Sequence, residues 1–134
     1  MAIFATDSTR FSAVVKHEYE PSLSVCRESV IINDSAATLK VGTVLGKVTA
    51  TGKYKVALSA AVDGSQTPVA VLIADGLGLS GDMTIAAATD TKALVLARGP
   101  SIVAGEALTL GTGITLAAAK TALLAVGIIV ETAI

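Results

Sequence analysis

The sequence predicts a small single domain of the β-rich α+β class, with mixed strands, one C-terminal helix and an extended N-terminal arm. Three observations predict it. From Ser29 onward, short runs of β-branched and apolar residues alternate with glycine-bearing turns. One late segment, Leu116 to Ala125, is instead built from strong helix formers. Residues 1–27 show neither strand nor helix periodicity, which divides the chain into an arm over 1–27 and a domain over 28–134.

The arm holds both phenylalanines, Phe4 and Phe11, together with Tyr19, the only histidine, His17, and Pro21. Val14-Val15 is its one β-branched pair. Fully extended at about 3.3 Å per residue, it would span roughly 80 Å, against a radius of gyration of about 14 Å for the compact part. Disordered tails are poor in aromatic residues, so their concentration here marks Phe4, Phe11, Val14 and Tyr19 as candidate partner-binding side chains.

The first strand of the domain is expected over Ser29 to Asn33, turning at Asn33-Asp34-Ser35. Thr43 to Thr49 and Tyr54 to Leu58 read as a hairpin, because Thr51-Gly52-Lys53 places a glycine where a tight turn needs positive φ. Asp63-Gly64-Ser65 is a further turn. Val69 to Ala74 is nearly continuous in apolar residues, as a strand covered on both faces must be. Short strands are expected at Met83 to Ala86, Ala93 to Ala97 and Ser101 to Ala104, with β character continuing at Leu108 to Leu110. The helix then ends near Gly127, a suitable C-cap, and Ile128 to Val130 closes the fold. No repeat of 20–50 residues is present.

Composition narrows the function classes. The chain has 134 residues, enough for one modest core, and a formal net charge of −1, which provides no basic field for direct nucleic-acid binding. Hydrophobic residues are 52% but aromatics only 3%, so the core must be filled by Ala, Val, Leu and Ile. A mean hydropathy of +0.72 is high for a lone small domain; apolar surface left exposed on such a domain usually meets a partner or a second copy. The single cysteine, Cys26, permits no intrachain disulfide and reads as a small buried hydrophobe. Met1 to Arg10 lacks the pattern of a secretory signal. The apolar tract from Ala107 to Val130 is interrupted by Gly111-Thr112-Gly113 and Lys120, so no membrane span is expected.

Catalytic constellations are not found. Gly76-Leu77-Gly78-Leu79-Ser80-Gly81 satisfies G-x-G-x-x-G and follows an apolar strand, the position a dinucleotide site requires. The following residues, including Thr84, Ile85, Thr89, Asp90 and Thr91, are mediocre helix formers, and too little chain remains for an alternating parallel sheet. A surface loop is the favoured reading. His17 and Cys26 fall short of the four ligands of a zinc site, and no serine has a scaffolded histidine beside it. Asp63, Asp75, Asp82 and Asp90 sit in turn contexts; a metal pocket from Asp75 and Asp82 is not required by anything else in the sequence. No cofactor is expected. Lys40, Lys47, Lys53 and Lys55 concentrate basic charge in the central region, either as a contact face or, the favoured reading, as solvated strand lysines.

Leu39-x-x-Gly42-Thr43-Val44-Leu45-Gly46-Lys47-Val48-Thr49-Ala50-Thr51-Gly52-Lys53-Tyr54, followed by Asp63-Gly64-Ser65-Gln66-Thr67-x-Val69-Ala70-Val71-Leu72, resembles the bacteriophage head decoration proteins of the phage lambda type. The resemblance extends to Cys26-Arg27-Glu28-Ser29-Val30, to Ala93-Leu94-Val95-Leu96-Ala97-Arg98-Gly99 and to Leu124-Ala125-Val126-Gly127-Ile128-Ile129-Val130. It implies a non-enzymatic structural protein, made in the host cytoplasm, that binds the major capsid protein on the outer surface of an expanded head. It further implies a homotrimer that holds the shell against internal DNA pressure, with no membrane or direct nucleic-acid partner. A β-rich trimeric module of another viral assembly, such as a fibre or spike, is the alternative, and a nucleotide-binding enzyme is the third.

Overall fold

The computed structural model describes residues 11–23, 25–77 and 82–132. Along the described chain run α1 (Phe11–Val14), β1 (Val15–Glu18), β2 (Arg27–Ile32), β3 (Ala37–Leu39), β4 (Val44–Lys47) and β5 (Tyr54–Val56). Then come β6 (Pro68–Asp75), β7 (Met83–Ile85), β8 (Thr91–Leu96), β9 (Ser101–Ala104), α2 (Leu116–Leu124) and β10 (Ile128–Glu131). The β-rich α+β class is as the sequence predicts, with one long helix near the C-terminus.

Five strands close into a barrel in the order β2-β5-β4-β6-β8. The neighbours are antiparallel except at the closing seam, where β2 meets β5 in parallel through Ile32 and Tyr54. A second sheet, β1-β9-β10, lies beside the barrel; β9 pairs antiparallel with β1 and parallel with β10. A two-stranded ribbon of β3 and β7 contributes Leu39, Met83 and Ile85 to the barrel's core.

Two hydrophobic clusters result. One contains Ile32, Leu45, Leu72 and Val95. The other joins the barrel to the second sheet and α2 through Val14, Ile73, Leu96, Val103, Leu123 and Ile128. Successive side chains of a strand point to opposite faces, and β6 uses both. Ala70 and Leu72 enter the first cluster, Val71 and Ile73 the second. This is why its sequence is almost uninterrupted in apolar residues.

The expected hairpin forms between β4 and β5. Gly52 has φ +73°, and the turn is closed by Gly52 N–H to Val48 O and Val48 N–H to Lys53 O, both 2.8 Å. Helix α2 starts where the Thr115 hydroxyl accepts from the Ala118 amide at 3.1 Å, an N-cap bond. It buries Ala119 and Leu123, one turn apart, and Gly127, at φ +90°, redirects the chain into β10. Leu108 to Leu110 does not extend into a strand. Thr109 makes a single parallel bridge to Thr43, and Gly111 then passes against the Ala57 carbonyl, where a Cβ would stand only 2.0 Å from the oxygen.

Packing runs across residue 27. β1 is a paired strand, Val14, Val15 and Cys26 belong to the second cluster, and Glu18 is buried. The alternation that would have marked β1 is broken by a register shift between Val15 and His17, giving the pattern buried, exposed, exposed, buried. A bulge of this kind hides a strand from any period-two reading.

Leu72 is 1% exposed. Leu72→Ala should therefore cost about 2–5 kcal/mol in denaturant unfolding; a change within error would show that the barrel interior does not depend on it.

Candidate docking surface

The four residues singled out for binding part company in the structure. Phe4 lies outside the described residues. Phe11 opens α1. Val14 is fully enclosed, with 0% exposure, and so is unavailable to a partner while the domain is folded. Tyr19 remains half exposed, in the connection between β1 and β2. The structure adds two neighbours in that connection, Leu23 at 72% exposure and Val25 at the edge of exposure. Pro21 and Leu23 bound a single 3-10 turn that presents Leu23 outward. No periodicity signals an isolated outward leucine, and the sequence reading missed it for that reason.

Other exposed apolar side chains are Val62 and Leu77 on connections, Leu124 on α2 and Ile129 on β10. Apolar side chains thus remain in water on several different elements of the domain. This is where part of the high mean hydropathy resides.

Three of the central lysines reach partners within the domain. Lys53 Nζ lies 2.8 Å from Asp90 Oδ1, Lys55 Nζ lies 3.5 Å from Asp63 Oδ2, and Lys47 Nζ stands 5.9 Å from the centre of the Tyr54 ring. Both ion pairs are partly exposed, in keeping with solvated lysines on and beside barrel strands. Asp63 accepts from the Ser65 hydroxyl and, at 3.0 Å, from the Ser65 amide. The serine hydroxyl first, then the amide and Lys55, hold its carboxyl below the ordinary carboxylate range. Lys53 and then Asn33, whose amide donates to Asp90 Oδ1 at 2.7 Å, do the same for Asp90.

The glycine pattern after β6 begins with a turn in which Asp75 Oδ1 accepts from the Leu77 amide at 2.9 Å; Gly78 to Gly81 lie outside the described residues. The chain that follows is β7, a strand, where a dinucleotide site needs a helix N-terminus pointing at the phosphates. Asp75 and Asp82 do line one open recess of about 540 Å³, together with Lys92. Among the described residues, no group of three or more His, Cys, Asp or Glu side chains is placed to hold a metal. No helix of the described residues is long and apolar enough to cross a membrane. Cys26 is fully buried, packed where its Sγ meets the carbonyls of Tyr19 and Pro100 at 3.7 and 3.6 Å.

The described chain is thus a small β-barrel with an appended sheet and apolar side chains displayed on its connections. The chain belongs to the bacteriophage lambda head decoration protein D family, whose model matches residues 5–129. It is thus a phage head decoration protein, a structural component of the capsid. No curated protein and no solved structure matches the chain.

The depressed carboxyls set a pH dependence. A carboxylate whose folded pKa lies below its unfolded value, near 3.9, stabilises the fold above that value, and the contribution is lost as pH falls through the folded pKa. Stability should therefore decline on acidification below about pH 4. The decline should be shallower in the Asp63→Asn and Asp90→Asn variants, as thermal melts between neutral and acid pH would register; parallel curves for variant and parent would refute it.

Proposed function

We propose that this head decoration protein binds the major capsid protein on the outer surface of an expanded phage head, as a homotrimer, and stabilises the shell against the pressure of packaged DNA. The observation that carries the reading is the family match, which runs from the segment before α1 into the start of β10. The physical basis is multivalency. A trimer that touches several capsid subunits together makes their separation require the simultaneous loss of many contacts. Closed rotational symmetry is the usual form of a homo-oligomer, and displayed apolar side chains such as Leu23, Val62 and Leu124 offer surface for burial against copies or capsid. The action requires no chemistry on a bound substrate.

The grip is assigned to the segment ahead of Phe11, which carries Phe4, together with Tyr19 on the connection between β1 and β2. An extended segment can add a strand to a sheet edge on the capsid while an aromatic side chain fills a pocket. Fixing it opposes binding by about 1–2 kcal/mol per residue, which backbone pairing and aromatic burial must exceed.

Sedimentation or light scattering should give three chains per particle, in solution or after release from heads, and purified protein should saturate expanded heads. A stable dimer in both settings, or no binding to heads, would overturn the reading.

Two truncations separate grip from fold. Removing residues 1–10 takes away none of the described buried residues, so the melting temperature should stay near that of the parent while head occupancy falls sharply. Removing residues 1–27 deletes Val14, Val15, Glu18 and Cys26 and should unfold or severely destabilise the domain. Unchanged occupancy after the shorter truncation would place the grip elsewhere.

A further inference from the structure

Among the described residues, Glu18 is the only carboxylate or cationic side chain that is buried. It sits at the end of β1 and meets Arg27, the first residue of β2. Arg27 Nε donates to both carboxylate oxygens, at 3.1 and 3.0 Å, and Nη2 donates to Oε1. The hydrogen bonds to Glu18 hold the Arg27 guanidinium above its ordinary pKa. The pair joins two layers: β1 belongs to the sheet with β9, and β2 is a wall of the barrel.

Among the described residues, the strand partner of β1 is β9, with the register broken between Val15 and His17. Val14 and Val15 anchor its beginning in the core, whereas Lys16 and His17 face water. At its far end only Glu18 points inward, followed by the bond from Tyr19 N–H to Pro100 O at 3.0 Å. Arg27, in contrast, is fixed. Its backbone pairs opposite Leu96, and its carbonyl accepts from Arg98 Nη1 at 3.2 Å.

We propose that the Glu18–Arg27 ion pair is a clasp that holds β1 on the domain and thereby positions the chain that precedes it for docking. A carboxylate cannot stay buried without its partner. Losing the forked contact therefore draws Glu18 toward water and pulls the end of β1 from β9. The barrel, which has its own closed hydrogen-bond circuit, remains. The docking consequence rests on the reading that the segment ahead of Phe11 grips the head.

The test is native-state hydrogen exchange on the full-length chain, parent against Glu18→Gln, with head occupancy measured on the same samples. Amides from Lys16 to Tyr19 should exchange roughly tenfold or more faster in the variant while Val71 to Ile73 of β6 keep their protection. Should Glu18→Gln not fold, Arg27→Lys, which keeps the charge but loses the fork, is read over the same two segments. Unchanged exchange at β1 overturns the clasp, and so does equal acceleration in β6, which would make the pair a support of the whole fold. Occupancy should fall along with β1 protection. If β1 loosens and occupancy holds, while truncation of residues 1–10 lowers it, docking is independent of the clasp and the link is overturned. If that truncation also leaves occupancy unchanged, it is the docking reading that fails, and the clasp stands or falls on exchange alone.

Discussion

The burial of β6 on both faces is the constraint on which the rest of the structure depends. A strand hidden on one side only would need a single layer of partners. β6 supplies Ala70 and Leu72 to one cluster and Val71 and Ile73 to the other, so both layers must be present before its apolar surface leaves water. The two clusters are thereby coupled through one backbone. The poverty in aromatics follows the same logic: side chains of Val, Leu and Ile size fill narrow spaces between closely spaced layers.

Elements whose signal is local were legible in the sequence. The hairpin at Gly52, β6, β9 and α2 each rest on a turn residue, a run of helix formers or an apolar run contained within the element. What escaped notice is determined by distant partners. β1 is a strand because β9 is there to pair with it, and its bulge erases the alternation. β3 is three residues long and has meaning only opposite β7. Barrel closure depends on a single parallel seam between Ile32 and Tyr54, which no spacing encodes. The candidate site shows the same limit. Reading residues 1–27 as an arm pointed to Tyr19, which is displayed, and also to Val14, which is buried beside residues as remote as Leu123 and Ile128.

Charge and apolar surface have been divided between tasks. Three of the central lysines are occupied within the domain by Asp90, Asp63 and the Tyr54 ring, leaving them little freedom to define a bare electrostatic face. The outward display falls instead to apolar side chains on connections, such as Leu23 and Val62. Contacts of that type strengthen with buried area and vary little with ionic strength, unlike exposed ion pairs. Any contact made through such surface would be tolerant of the surrounding salt.

Closure of the barrel also bears on solubility. A five-stranded sheet left open would present two rows of unsatisfied amides and carbonyls, each a template for another chain. Joining β2 to β5 removes both rows. Among the described residues, the remaining strand margins belong to β1, β10 and the short β3–β7 ribbon, and each of these strands is only three or four residues long. A chain this rich in small apolar residues can therefore accumulate to high concentration with little opportunity for strand-by-strand polymerisation into fibrils.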